Sequence, residues 1–144
     1  MNPIESLSSV PLVRVAHARS GDKADWIDFG LFAWNADGYA LLAREVTAER
    51  VRAHFQPWLG PLADDAVSLW PLPNLLALKI VLRGALQGGG ARNLRADNLG
   101  KAMAGALLRM EIDASAPEIA AATDPATRVG WWPAPAAAGA EAPR

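Results

Sequence analysis

Apolar and polar positions alternate from Val10 to Ala16 and again from Ile27 to Trp34, and each stretch predicts a β-strand. In the second, Ile27, Phe29, Leu31 and Ala33 share one face, while Asp28, Gly30, Phe32 and Trp34 share the other. Between them runs His17-Ala18-Arg19-Ser20-Gly21-Asp22-Lys23-Ala24-Asp25, where five ionisable side chains predict a polar loop at the point where the first strand leaves the core. Gly21 permits a tight turn there. Asn35-Ala36-Asp37-Gly38 reads as a turn, followed by a helix over about Tyr39 to Glu45. Thr47 is a candidate N-cap for a second helix in which Val51, Phe55 and Trp58 fall on one face, ended by Pro57, Gly60 and Pro61. Ala66 to Leu72 reads as a short strand. From Asn74 onward Lys79, Arg83 and Gln87 recur every fourth place among apolar residues, a spacing that predicts a helix with one polar stripe, capped by Gly88 to Gly90. Ala91 to Ala96 reads as extended, Leu99 to Leu108 as helical and Arg109 to Ile112 as a closing strand. Strands interspersed with helices that are apolar on one side only predict a two-layer α+β sandwich.

The pattern fades at Ser115. The last 30 residues hold 11 alanines and 5 prolines, too few branched and aromatic side chains to build a core. The chain therefore divides into a domain over 1–114 and an Ala/Pro-rich tail over 115–144, disordered or docked. Val129, Trp131 and Trp132 stand out in that tail, because adjacent indoles expose apolar area that contact with this domain or a partner would bury.

With 144 residues and 51% hydrophobic content the chain fits one domain with a core of its own. A formal net charge of -1 argues against a nucleic-acid footprint, which needs a basic excess. The absence of cysteine removes disulfides, thiolate metal sites and a cysteine nucleophile, and fits a reducing compartment. With no signal-peptide pattern and no long apolar run, the expectation is a cytoplasmic protein that does not enter a membrane.

A second polar run, Gly88 to Lys101, repeats the mixture of glycine, base and acid found at His17 to Asp25, and together the two runs suggest one anion-binding surface. Lys23 and Lys101 are two of only three lysines, and both stand in these runs. Their ammonium groups, with Arg19, Arg92 or Arg95, suit a carboxylate or phosphate such as that of a coenzyme A thioester. Equally, Asp22, Asp25 and Asp97 suit ion pairs that pin two loops together. Gly100-Lys101 precedes Ala102 rather than Ser or Thr, so no phosphate-binding P-loop is present. His17, with Asp22 five residues on, is a candidate general base; the alternative is a histidine satisfied at a strand end. His54 reads as structural. Ser20 lacks the surroundings of a hydrolase nucleophile, and two distant histidines do not make a metal cage, so neither a metal nor a resident cofactor is expected. Trp26, Trp34, Trp58 and Trp70 read as core and interface anchors rather than a base-stacking platform.

These two runs, with Pro73-Asn74-Leu75, Leu82-Arg83-Gly84-Ala85-Leu86 and Leu107-Leu108-Arg109-Met110-Glu111-Ile112, resemble the AtuA-like (acyclic terpene utilisation) ferredoxin-fold domain family over about residues 10 to 113. Ala24 stands where the family pattern has glycine, Asp28 and Lys79 where it has asparagine, and Asn93 where it has serine. The resemblance implies a ferredoxin-like fold and a ligand-binding set of Arg19, Ser20, Gly21, Asp25, Asn74, Gly89, Arg95, Asp97 and Lys101, with His17, Asp22 and Lys23 as catalytic candidates. It also implies a small subunit or accessory domain that docks on a larger AtuA-type subunit, or on copies of itself, in the catabolism of terpenoid or branched acids as coenzyme A thioesters. The alternative is an independent lyase or hydratase with His17 as base.

Overall fold

The computed structural model describes residues 6–129. A four-stranded antiparallel sheet is built from two hairpins laid side by side. The first pairs β2 (Ala16–Lys23) with β3 (Trp26–Ala33), the second pairs β4 (Val67–Leu72) with β5 (Ala77–Leu82), and β3 joins β5 to give the order β2-β3-β5-β4. A two-stranded sheet joins β1 (Ser8–Pro11) to β6 (Glu111–Ala114). Helices α1 (Ala36–Glu45), α2 (Ala48–Leu59), α3 (Met103–Leu107) and α4 (Ala116–Ala122) complete the α+β fold. The first three pack on one side of the large sheet, against β3, β4 and β2 respectively.

The alternation in β3 does what its pattern predicts: Ile27, Phe29, Leu31 and Ala33 are buried, and Phe29 meets Phe55 of α2 with ring centroids 5.5 Å apart. Asn35 ends β3 and caps α1, its side-chain oxygen accepting from the Gly38 amide at 2.8 Å. The helix therefore starts three residues before Tyr39. Thr47 caps α2 as expected, and Val51, Phe55 and Leu59 form its buried face. Trp58, expected on that face, is 50% exposed. Trp26 and Trp70 are likewise exposed, so these three indoles are not core anchors.

Five assignments change. Val10 to Ala16 is not one strand, because a 3-10 turn at Leu12–Arg14 separates β1 from β2 and sends them to different sheets. The run from His17 is itself strand β2, with Ala24 and Asp25 making the hairpin turn. Its polarity suits an edge strand: His17, Arg19 and Lys23 point away from the helices, and Ala16 and Ser20 point toward them. The stretch after Asn74 is not a helix. Its residues 77–82 form an inner strand whose near-continuous burial, broken only at Lys79, hides the period of two that would mark it as β. Residues 91–96 then run through turns rather than a strand, and α3 is limited to Met103–Leu107 by Gly100, whose φ of 63° does not continue a helix.

The segment expected to be a tail begins as part of the fold. Ser115 and Glu118 form a capping box at the start of α4, Glu118 pairs with Arg44, and Ala122 is fully buried against α1. The Asn35 amide donates to Ala121 O at 2.7 Å and Thr127 Oγ1 at 2.8 Å, and Val129 N donates to Trp34 O at 2.8 Å. Trp131 and Trp132 lie outside the described residues. Asn35 thus caps one helix and anchors the segment after another, so Asn35→Ala should cost about 2 kcal/mol or more, read from the midpoint of chemical unfolding at unchanged slope. A midpoint within experimental error of the parent would refute the dual role.

Candidate functional site

On the side of the large sheet away from α1, α2 and α3, the registers align the side chains in rows. Lys23 lies opposite Trp26; Gly21 opposite Asp28, which faces Val81; Arg19 opposite Gly30, Lys79 and then Trp70; and His17 opposite Phe32. This face is mostly open: Trp26 is 41% and Trp70 46% exposed, and His17, Arg19 and Lys23 are exposed as well.

The irregular segment from Arg83 to Ala102 folds back onto the β2–β3 end of the sheet. Leu86 N donates to Asp25 O at 2.9 Å. Gly89 has φ 98°, and a side chain there would crowd Ala24 O at 3.1 Å, so glycine is required on both counts. Asp97 accepts from Lys101 N at 2.7 Å and Ala102 N at 3.0 Å, which turns the chain into α3. The decisive contact is made by Ser20. Its buried hydroxyl donates to Gly100 O at 2.6 Å and accepts from Ala104 N at 2.9 Å, tying β2 to the start of α3.

That tie sets Lys101 beside Gly21. The Lys101 ammonium lies 3.3 Å from Asp22 Oδ1. A methyl group on Gly21 would lie 3.4 Å from Lys101 Nζ, 3.4 Å from Asp28 Oδ1 and 3.9 Å from Arg19 Nη2, so three charged termini surround one point above the strand. Asp28 pairs through its other oxygen with Lys79 of β5. Burial pushes the Asp28 carboxyl up, but the Lys79 hydrogen bond and the charges of Lys79, Lys23 and Arg19 outweigh it and hold the group below its ordinary range. Asp28 is therefore ionised at neutral pH and acts only as an acceptor.

The two polar runs do converge. Arg19, Asp22 and Lys101 gather at Gly21, and Lys23 stands next to them with its ammonium on the Asp22 carbonyl at 3.0 Å. Ser20, Gly89 and Asp97 sit within the junction but spend their polar or steric capacity on holding it. Arg95 reaches toward Ala85 O at 3.4 Å, and the buried Asn93 accepts from Arg95 N at 2.9 Å. Asp25 contributes its carbonyl to Leu86. His17 and Asn74 lie toward the other end of the sheet. The His17 ring stacks on Phe32 at 5.2 Å and on Trp34 at 4.4 Å, with Arg128 on Trp34 at 4.2 Å. Burial first, and the Arg128 charge second, lower the His17 pKa, so the imidazole is neutral at neutral pH. Asp22 does not partner it: five residues of strand separate them by roughly 17 Å. Asn74 is exposed in the Pro73–Leu75 turn.

Asp28 and Lys79, noted in the sequence only as departures from the family pattern, are the site residues absent from the expected set. Asp28 was visible as a polar member of the open face of β3, whereas Lys79 was hidden by the helical spacing assigned to its segment. A groove of about 520 Å³ between α2 and α3, lined by Trp58, Ala102, Gly105, Ala106 and Arg109, lies on the helical side and holds none of the clustered acids and bases. Among the described residues no three His, Asp or Glu side chains gather as metal ligands, and no helix is long and apolar enough to cross a membrane.

The model of the AtuA ferredoxin-like domain matches residues 10–113 of the 144, spanning both hairpins, the Gly21 junction and most of β6. The chain belongs to this family. Neither the curated proteins nor the solved structures yield a significant match. The boundary of the AtuA ferredoxin-like match at 113 falls inside β6, and α4 packs on the matched domain from beyond it.

Ser20→Ala should leave the buried Ala104 N–H without a protein partner and Gly100 O with only the long bond from Met103 N at 3.4 Å, and destabilise the fold by about 1–3 kcal/mol. Urea unfolding measures this; an unchanged midpoint would show that the junction closes without Ser20.

Proposed function

We propose that the open face of the sheet binds an anionic molecule with an apolar body, a carboxylate or a thioester, and that the chain serves as a small subunit or accessory domain of an AtuA-type protein acting on acyl-CoA substrates from terpenoid or branched-acid catabolism. The observation that carries this is the pair of cations at Gly21. The Arg19 guanidinium and the Lys101 ammonium flank one open point above the strand, beside Asp28 Oδ1, in a chain whose formal net charge is -1. Ionised donors that face an anion form bonds about twice as strong as neutral pairs. Trp26 and Trp70 flank this charge on the same face and offer exposed ring surface to an apolar body.

Family membership supports the acyl-CoA setting, through the link of AtuA to acyclic terpene utilisation. The exposed indoles support a partner, either a larger AtuA-type subunit or a second copy, because aromatic side chains are enriched at interface cores. The alternative of an independent lyase with His17 as base draws less support, since His17 stacks on aromatic rings away from the charged cluster and has no carboxylate partner among the described residues.

Calorimetric titration of the full chain with isovaleryl-CoA tests the reading. Lys101→Ala should weaken binding by about 1.5–3 kcal/mol, tenfold or more, if the ammonium makes a charge-assisted hydrogen bond to the ligand. Unchanged affinity together with a lower melting temperature would assign Lys101 to architecture and overturn the ligand reading.

A further inference from the structure

Glycine inside a strand weakens it, and Gly21 has none of the usual structural reasons to be there. Its φ is not in the left-handed region, so the backbone accepts any residue. Nor does packing forbid a side chain: a methyl group would make only ordinary contacts, the nearest at 3.4 Å. Gly30, the next small residue on this face, is different, because a methyl there would lie 2.8 Å from the Phe32 ring. What the missing side chain at Gly21 leaves is a gap ringed by an ammonium, a guanidinium and a carboxylate.

The three groups have unspent and complementary bonding capacity. Lys101 uses one contact on Asp22 and is 61% exposed, so it can swing outward to admit a ligand. Arg19 is exposed and has no ion-pair partner among the described residues. Asp28 gives Oδ2 to Lys79, while Oδ1 points at the gap without a donor among the described residues. Two cations beside the gap suit an anionic oxygen. An ionised carboxylate at the same point repels that oxygen unless the ligand also brings a hydrogen-bond donor, which a hydroxyl close to the ligand's carboxylate supplies.

We infer that the cradle over Gly21 recognises a carboxylate that carries a hydroxyl on the α or β carbon, with Arg19 and Lys101 on the carboxylate and Asp28 Oδ1 accepting from the hydroxyl. This rests on the open face being the ligand site and adds the substrate class. Asp28 thereby sets specificity: it rewards the hydroxy acid and disfavours the acid without the hydroxyl. Lys79 holds Asp28 in place and keeps it ionised.

The test uses the full chain and two matched pairs of probes, lactate against propionate and 3-hydroxybutyrate against butyrate, by calorimetry or NMR titration. The hydroxy acid of at least one pair should bind roughly tenfold or more tightly than its partner, as expected for a hydrogen bond to a charged group. Asp28→Ala should bring that ratio to near one. Gly21→Ala, which the backbone accommodates, should weaken hydroxy-acid binding about tenfold with the melting temperature retained. Equal binding within both pairs, or full affinity in Gly21→Ala, would overturn the inference. If isovaleryl-CoA binds in a Lys101-dependent way while neither pair shows a preference, the substrate class fails and the open-face site stands; if neither the acids nor the thioester bind, both fail.

Discussion

The Ser20 hydroxyl is the constraint on which the charged cluster depends. It is buried between an edge strand and a turn about 80 residues later in sequence, and it satisfies a carbonyl at Gly100 and an amide at Ala104 at once. Leu86, buried in the core with its amide on Asp25 O, fixes the start of the irregular segment from Arg83 to Ala102, and Ser20 fixes its end. Fixing it delivers Lys101 to Asp22 and closes the ring of charges around Gly21. Inward-facing small residues on β2 permit this, since Ala16 and Ser20 let α3 approach closely while the outward positions stay free for Arg19 and Lys23.

Much of the scaffold was legible in the sequence where one face is wet and the other dry. β3 alternates cleanly because α1 and α2 cover one side and solvent meets the other, and the Asn35 and Thr47 positions announce their helices through side chains that bond backbone amides. Legibility failed at β5, an inner strand buried on both faces, where Lys79, Arg83 and Gln87 imitate a helical stripe and the period of two vanishes. It failed again at β2, whose charges mimic a loop because an edge strand with an open face carries the same composition. The helix after Ser115 was hidden by its alanines: α4 buries little side-chain volume and is held by its capping box, by Arg44 and by Asn35, contacts that span the chain.

For the site, the two polar runs were recognisable as one surface, and the structure brings Arg19, Asp22, Lys23 and Lys101 together. The division of labour within them was not recognisable. Ser20, Gly89 and Asp97 look equally suited to a ligand in sequence, yet each is committed to the loop's own backbone. The pairing of Asp28 with Lys79 escaped notice because it runs between strands whose adjacency depends on the second hairpin being a hairpin. Their ion pair is what makes the face amphoteric rather than simply basic.

The position of Lys101 over Gly21 depends on Ser20 holding the start of α3 against β2 in solution. Site-resolved hydrogen exchange of the native full chain reads this at the Ala104 amide, whose acceptor is the Ser20 hydroxyl. Ala104 should be protected nearly as strongly as the Phe29 amide in β3 and far more than the Ala102 amide, which bonds only to the exposed Asp97 carboxylate. Exchange of Ala104 as fast as Ala102, with β3 still protected, would mean that the loop is not anchored and that Lys101 is not held over Gly21.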